Sequence, residues 1–482
     1  MHPCHLIRAV PVFVLLLAGL AYSTSPCRAD DRPNIIVIMV DDMGWSDLGC
    51  YGGEIRTPNI DGLAGGGLRF TSFYNTARCC PTRASLLTGL YPHQAGLGRM
   101  TFDTGKPGYR GFLTANTVTI PEVLRQAGYR TAMVGKWHLG FTMKSPGVFD
   151  YSKPLAGGPV DCGFDSYFGM PASLDIPPYF YISNRTPTMA PTESVKAKDS
   201  VGGKEGWNRI QGAFWRAGKV GPDFKHAEVT PRFAAETVKV IESHDGKKPL
   251  FLYLALPSPH TPWLPTKEFI GKSAAGMYGD FMMQVDHVIG QVMGSLEKAG
   301  MSKNTLLIFS SDNGPVWYDK DTKRFGHRSS GSLRGIKGSV WEGGHRVPFI
   351  AHWPDRIKAG SRSAHTIAFA DALATFANAA GRTELPEDMA EDSVSFLPVL
   401  LRPDRKHPPR PPILHEGKVI RDGAWKLIAT RGGRGFDADR KVKYGTELYN
   451  LEDDLPEKNN LAEKMPEKVK NLQTRMYRIL NK

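Results

Sequence analysis

The chain has 482 residues, 61 Lys+Arg against 48 Asp+Glu and a formal charge of +13, with 41% hydrophobic residues. A 23% charged fraction with 51 Gly and 36 Pro is close to the globular average, which excludes a disordered, collagen-like or coiled-coil chain. The basic excess is spread along the sequence without a Lys/Arg block, so no nucleic-acid partner is expected.

His5–Arg8 forms a weakly positive start, and Ala9 to Ala21 is a 13-residue apolar run followed by small and polar residues to Ala29. That order is the pattern of a secretory signal, and the run is shorter than the roughly 18 residues of a membrane span. Residues 1–29 are therefore expected to be a cleaved signal peptide, the product secreted or periplasmic, with no stable membrane span. Its removal takes Cys4 and Cys27 and leaves Cys50, Cys79, Cys80 and Cys162, too few for a disulfide scaffold.

Asn34–Val40, Thr131–Val134, Leu250–Leu256 and Thr305–Phe309 are continuous apolar runs, as expected of strands covered on both faces. Helical patterns lie between them, at Ile120–Ala127 and over the long amphipathic stretch Met277–Ala299 closed by Gly300. The alternation predicts an α/β fold, a large and mostly parallel sheet flanked by helices. Residues 141 to 230 are rich in Gly, Pro and aromatics without periodicity and are expected to form a surface excursion. Its aromatics Tyr167, Phe168, Tyr179, Phe180, Tyr181, Trp207 and Trp215 would either stack on sugar rings or pack the excursion onto the domain. The Pro-rich stretch Arg402–Pro412 reads as a linker. Strand patterns at Gly423–Thr430 and Glu447–Leu451 and a closing helix at Pro466–Leu480 predict a smaller C-terminal α+β domain. The expected division is 30–405 for the main domain and 406–482 for the C-terminal one.

The residues just beyond each apolar run carry the chemistry. Asp41-Asp42 come after the first, Lys136-Trp137-His138 after the second, His260 after the third, and Asp312-Asn313 after the fourth. In an open parallel sheet the ligand crevice lies outside the carboxyl ends of the strands, so these residues can converge. Asp41, Asp42, Asp312 and Asn313 form an oxygen-only set suited to Ca²⁺ rather than Zn²⁺. Either Asp motif alone is also an ordinary turn after a strand. Cys79-Cys80-Pro81-Thr82-Arg83 precedes Ala84–Gly89 and reads as a helix start, a place that suits an oxyanion and would lower a thiol's pKa. A buried structural cysteine fits the same pentapeptide.

Cys79-x-Pro81-x-Arg83-Ala-Ser-Leu-Leu-Thr-Gly resembles the signature of the formylglycine-dependent sulfatases. Gly128–Thr131 with Gly135–His138, and Gly335-Ile-Lys337 with Glu342–Pro348, resemble further blocks of that family. With the Asp motifs, the likeness runs from about residue 31 to 350 and continues weakly at Glu447–Leu451. It implies an alkaline-phosphatase-like fold and oxidation of Cys79 to Cα-formylglycine by a formylglycine-generating or anaerobic sulfatase-maturating enzyme. In that family the hydrated aldehyde attacks the ester sulfur, and the sulfated enzyme then collapses to release sulfate, splitting a hard displacement into two steps.

The resemblance also implies roles. Ca²⁺ would sit on Asp41, Asp42, Asp312 and Asn313 and touch residue 79. Lys136 and Lys337 would clamp sulfate oxygens, and Arg83 would hold the diol. His138 would take the spare hydroxyl's proton, and Asp312 that of the attacking hydroxyl. His260, alone or with Lys337, would protonate the leaving alcohol. His345 and Arg346 are expected to be structural, and Trp137 to serve packing. The substrate implied is a sulfated small molecule or glycan. Two alternatives stay open at this point: a phosphonate or phosphate ester hydrolase of the same superfamily, and a non-catalytic binder of sulfated polysaccharide.

Overall fold

The computed structural model describes residues 32–97, 109–143, 148–204, 206–386, 389–415, 417–429, 435–436 and 444–481. The expected signal segment, 1–29, lies outside the described residues. Ten strands form one sheet: β1 (Asn34–Val40), β2 (Leu68–Phe70), β3 (Arg130–Lys136), β4 (Ser166–Met170), β5 (Ile182–Ser183), β6 (Thr186–Pro187), β7 (Leu250–Ala255), β8 (Thr305–Ser311), β9 (Phe349–His352) and β10 (Ser361–Ser363). Their order is β10-β2-β9-β8-β1-β7-β3-β4-β5-β6. The central five, β8-β1-β7-β3-β4, are all parallel. Strand β9 runs antiparallel to β8 and to β2, and β5–β6 form an antiparallel edge.

Continuous apolarity is explained by burial on both faces. Ile35, Val37 and Met39 of β1 pack on one face, with Leu86, Val123 and Phe376 from the helices Cys79–Thr88, Ile120–Gln126 and Ala372–Ala379. Ile36, Ile38 and Val40 pack on the other, with Leu63, Phe233 and Val285 from the helices Pro58–Gly65, Val229–Glu242 and Gly276–Lys298. Strand β1 thus divides its side chains between two cores, and its carboxyl end emerges between the helix layers. No helix among the described residues is long and apolar enough to cross a membrane.

The 141–230 stretch is a surface excursion only in part: residues 183–204 are mostly exposed, but much of the rest is built into the fold. It contributes β4, β5 and β6 to the sheet, and Tyr167, Tyr179, Phe180, Tyr181 and Trp207 are buried in the two cores. These five aromatics are packing residues, which removes them as a sugar-stacking platform. Trp137 is also buried, its Nε1 donating to the Gly140 carbonyl at 2.6 Å.

Towards the carboxyl terminus, β11 (Ile413–His415), β12 (Val419–Asp422), β13 (Trp425–Ile428) and β14 (Glu447–Asn450) form an antiparallel sheet. Leu472 and Met476 of the helix Pro466–Leu480 cover it, and Tyr74 and Tyr91 of the larger unit join the same core. One buried cation ties the two units. Lys426 Nζ on β13 lies 2.9 Å from Glu342 Oε1, 2.8 Å from Glu457 Oε1 and 2.9 Å from His345 Nε2. Tyr74 OH donates to the other oxygen of Glu342 at 2.6 Å, and the Asn75 amide donates to the His345 carbonyl at 2.9 Å. The lysine therefore braces the segment that leads into Cys79. Burial, opposed by Lys426, pushes the Glu457 carboxyl up to about 7.

Lys426→Met strands two buried carboxylates and is expected to cost ~3–5 kcal/mol, because breaking a buried pair leaves uncompensated charge. Glu457→Gln keeps the shape and an acceptor and should cost no more than about 1 kcal/mol. Urea midpoints of the two variants at equal m values check the contrast.

Candidate active site

The strand ends of β8, β1, β7 and β3 meet the amino terminus of the helix Cys79–Thr88, and the residues assigned catalytic or metal roles from the sequence lie in or beside that meeting point. Asp41 and Asp42 leave β1, and Asp42 takes a φ of 66°. Asp312 and Asn313 follow β8, Lys136 ends β3, and His260 follows β7. Gly135 makes the approach of β3 possible. A Cβ there would fall 2.0 Å from the Ala255 carbonyl oxygen, and its φ of +118° is one that side-chain-bearing residues avoid.

Asp41, Asp42, Asp312, Arg83 and Lys136 are almost wholly buried, so their charges must be met locally. Arg83 Nη2 lies 2.8 Å from Asp312 Oδ2 and 3.4 Å from Asp41 Oδ2. Lys136 Nζ pairs with Asp41 and reaches Ser173 Oγ at 3.0 Å. Lys337 Nζ pairs with Asp42, while Asn313 Nδ2 donates to Asp42 Oδ1 at 2.6 Å. Cys79 Sγ lies 3.5 Å from Asp41 Oδ1 and 3.3 Å from Asn313 Oδ1. Three carboxylates thus face three cations around one sulfur.

Electrostatics follow from this matching. Burial opposes ionisation of Asp41, yet Lys136, His260, Lys337 and Arg83 outweigh it and hold the carboxyl well below the usual range. Burial and the Asp41 carboxylate push Asp312 up to about 6, against the pull of Arg83 and Lys136. Burial lowers His138 strongly, reinforced by Lys136 and Arg83, so its imidazole is neutral. Both of its ring nitrogens are buried without a hydrogen-bond partner among the described residues. The expectation that the helix start lowers the Cys79 pKa is overturned. Burial raises the thiol well above its ordinary value, and the Asp312 and Asp41 carboxylates add to it by repelling a thiolate.

The donor set is one that could hold a metal ion, and its carboxylates are the hard oxygen donors among it. Ligand atoms of Asp41, Asp42, Cys79 and His260 all lie within 4.8 Å of one another. Asp312 Oδ1 is buried with no hydrogen-bond partner among the described residues, an orphaned oxygen beside that group. His260 belongs to the cluster as well as to the acid–base set: its Nε2 is 3.6 Å from Asp42 Oδ2 and its Nδ1 is 2.6 Å from the Thr261 carbonyl oxygen.

Three neighbours escaped the sequence reading. Ser173 contacts Lys136, Asp175 Oδ1 lies 4.0 Å from His260 Nδ1, and Arg216 pairs with Asp175 at 2.5 Å. Ser173 and Asp175 follow the carboxyl end of β4, the same position relative to a parallel strand as Asp41, Lys136 and Asp312. The signal was present in Ser166–Met170, but that strand is only five residues long and its Gly169 breaks the apolar run.

An α/β sheet covered on both faces, with charged residues delivered from its strand ends around a buried residue at a helix start, defines a hydrolase of alkaline-phosphatase-like architecture. A family model described as Sulfatase matches residues 33–382. An N-acetylgalactosamine-6-O-sulfatase of Bacteroides thetaiotaomicron is 35% identical over 481 residues, with 92% of each chain covered. Bovine arylsulfatase A is 36% identical over 402 residues, covering 80% of this chain and 70% of that one. A solved Bacteroides thetaiotaomicron structure, described with that organism's metabolism of multiple glycosaminoglycans, superposes with a TM-score of 0.80 at 32% identity. It covers 94% of this chain and 100% of its own. The chain belongs to the sulfatase family and is a sulfuric ester hydrolase.

Asp312 yields a test of the site's electrostatics. Its folded pKa, about 6, exceeds the ordinary 3.8, so the folded state holds the proton more tightly between those values. Its contribution to stability is full below about 4 and is lost as pH rises through about 6, by on the order of 3 kcal/mol. In a chelating buffer, wild-type stability relative to Asp312→Asn should fall by that amount between pH 4 and 7. A constant difference across that range contradicts the assignment.

Proposed function

We propose that the protein is an exported, calcium-dependent sulfatase that removes sulfate from a sulfated glycan, the 6-O-sulfate of an N-acetylgalactosamine-type sugar being the leading substrate. The observation that carries this reading is the buried cluster around Cys79 Sγ, where Asp41, Asp312, Asn313 and Lys136 from strand ends meet Arg83 of the helix Cys79–Thr88 and Lys337 of a turn. Proteins named N-acetylgalactosamine-6-sulfatases, from rat at 32% identity as well as from Bacteroides, support the sugar and the sulfate position. Export rests on the pattern of residues 1–29, with residues 30–405 as the catalytic domain and 406–482 as the C-terminal one.

A separate maturating enzyme would oxidise Cys79 to formylglycine, which supplies a hydrated aldehyde hydroxyl as nucleophile, while Ca²⁺ held by Asp41, Asp42, Asp312 and Asn313 supplies Lewis acidity.

The chain's own residues do the rest. Arg83 fixes the Asp312 carboxylate with two nitrogens, Nη2 at 2.8 Å and Nε at 3.1 Å. That grip presents the free oxygen of Asp312 as acceptor for the attacking hydroxyl's proton. Lys136 and Lys337, already desolvated, offer fixed positive charge to the sulfate oxygens. His138, held neutral, accepts the proton of the second hydroxyl. His260, between Asp42 and Asp175, donates to the departing sugar oxygen. Asp175, with a buried oxygen lacking a partner among the described residues, is an acceptor for a sugar hydroxyl next to the bond being broken.

A panel of defined sulfated saccharides scored for free sulfate tests the reading. Release from the 6-sulfated N-acetylgalactosamine should lead the panel, and Cys79→Ala should abolish release from every member. Lys337→Ala should lower kcat/KM by roughly 10²–10³, the scale for removing one preorganised stabiliser. Intact mass of the matured protein should be about 18 Da below that of the encoded cysteine form, as oxidation to the aldehyde requires. Preferred turnover of aryl phosphonate over aryl sulfate would replace the reading with its superfamily alternative.

A further inference from the structure

A second charged cavity, sharing no residue with the active-site cluster, lies at the seam between the two units. It has a volume of about 400 Å³ and is lined by Arg346, Arg410, Arg421, His365 and His407, with Glu452 as the one carboxylate among the described lining residues. Two of the arginines are neutralised within the protein. Arg410 grips Asp371 with two nitrogens, at 2.8 and 2.7 Å, and Arg346 Nη1 lies 3.2 Å from Glu342 Oε2.

Arg421 is different. It is only 9% exposed, yet no carboxylate among the described residues pairs with it. Its guanidinium lies over the Tyr74 ring at 4.4 Å, Nη1 donates to Ser72 Oγ at 2.9 Å, and Nε donates to the Gly423 carbonyl at 3.3 Å. Both acceptors are neutral, and further N–H donors of the fork remain, on a side chain that lines the cavity. Buried charges in proteins are otherwise paired, as Arg83, Lys136, Lys337, Arg410 and Lys426 are in this one. A guanidinium stacked on an aromatic ring, with its fork left over, matches the geometry of a bound sulfate, phosphate or carboxylate.

We propose that this seam cavity is an anion-binding site, in which Arg421 takes a tetrahedral oxyanion and His365 and His407, with rings 5.9 Å apart, form its rim. The volume exceeds that of a bare ion and falls within the range of small-ligand pockets. The oxyanion can therefore arrive as free sulfate or phosphate, or as the sulfate group of a sugar. The proposal does not depend on which ester the active site cleaves.

Calorimetric titration of full-length Cys79→Ala protein, which cannot turn over ester, with inorganic sulfate and separately with a monosulfated disaccharide tests this. Two sites per chain are expected, one of them weakened at least about tenfold by Arg421→Met and largely kept by Arg421→Lys. His407→Glu, a change on the half-buried rim, places a carboxylate in the cavity and should weaken the same site if Arg421→Met proves unstable. With Cys79 restored, aryl sulfate turnover of both variants should stay within about twofold of wild type. Loss of the second site for the disaccharide identifies a sugar-borne sulfate, and loss for inorganic sulfate alone identifies the free ion. Sulfate binding that neither Arg421→Met nor His407→Glu changes overturns the assignment.

Discussion

Everything in the active site depends on matching three buried carboxylates with three buried cations at the ends of parallel strands. Asp41, Asp42 and Asp312 would each be too costly to bury alone, as would Arg83, Lys136 and Lys337. Their partners come from strands and loops far apart in sequence, so no local stretch can hold its charge without the others. Removing one member leaves its opposite number desolvated and unpaired, a larger penalty than the loss of an exposed ion pair. The sheet supplies the rigidity that makes this possible. Its five parallel strands are buried on both faces, and close backbone approach at Gly135 and Gly314 brings the loops together. A Cβ at Gly314 would fall 2.0 Å from the Gly343 carbonyl oxygen, so the Asp312 loop and the Glu342 block touch through bare backbone.

That balance also constrains the reaction. With three negative and three positive groups the cluster is formally neutral, so a bound divalent cation would leave it positive by two. A sulfate monoester brings one negative charge and the released sulfate brings two. On the proposed reading the ester bond breaks as sulfur passes to residue 79, where the sulfate group stays singly charged, and the dianion forms only when the sulfated enzyme collapses, so the excess positive charge bears on that second step.

The strands and the site were legible to different degrees, for physical reasons. Strands β1, β7 and β8 lie between two helix layers, and that environment writes itself as an unbroken apolar run. Asp41, Lys136, His260 and Asp312 were found because each lies just beyond such a run. Strand β4 is parallel too, but it is short, carries Gly169 and flanks a stretch without periodicity, so Ser173 and Asp175 went unnoticed. The aromatics of the same stretch were ambiguous because a ring looks alike in sequence whether it packs or binds, and only burial separates the two. The thiol of Cys79 was misjudged for a related reason. A helix start is local and readable, whereas the burial that raises the thiol, and the Asp312 and Asp41 carboxylates that add to it, arrive through the tertiary fold. Arg421 likewise sits in an ordinary strand pattern, and nothing nearby in sequence marks the neutral surroundings that the fold gives it.

The two arrangements of buried charge show what the C-terminal unit contributes. Lys426 on β13 is fully paired, and through Glu342 and Tyr74 it braces the backbone at Asn75, four residues before Cys79. Arg421, one strand away on β12, lies against the same Tyr74 ring but meets no carboxylate partner among the described residues. One cation therefore stabilises the join between the units, while the other leaves the join with a charge still to be met. Since Tyr74 is shared, an anion on Arg421 would bear on the same aromatic ring that hydrogen-bonds Glu342 and leads into the nucleophile helix. The C-terminal unit is thus part of the active site's supporting structure, and the cavity at its seam lies against that support.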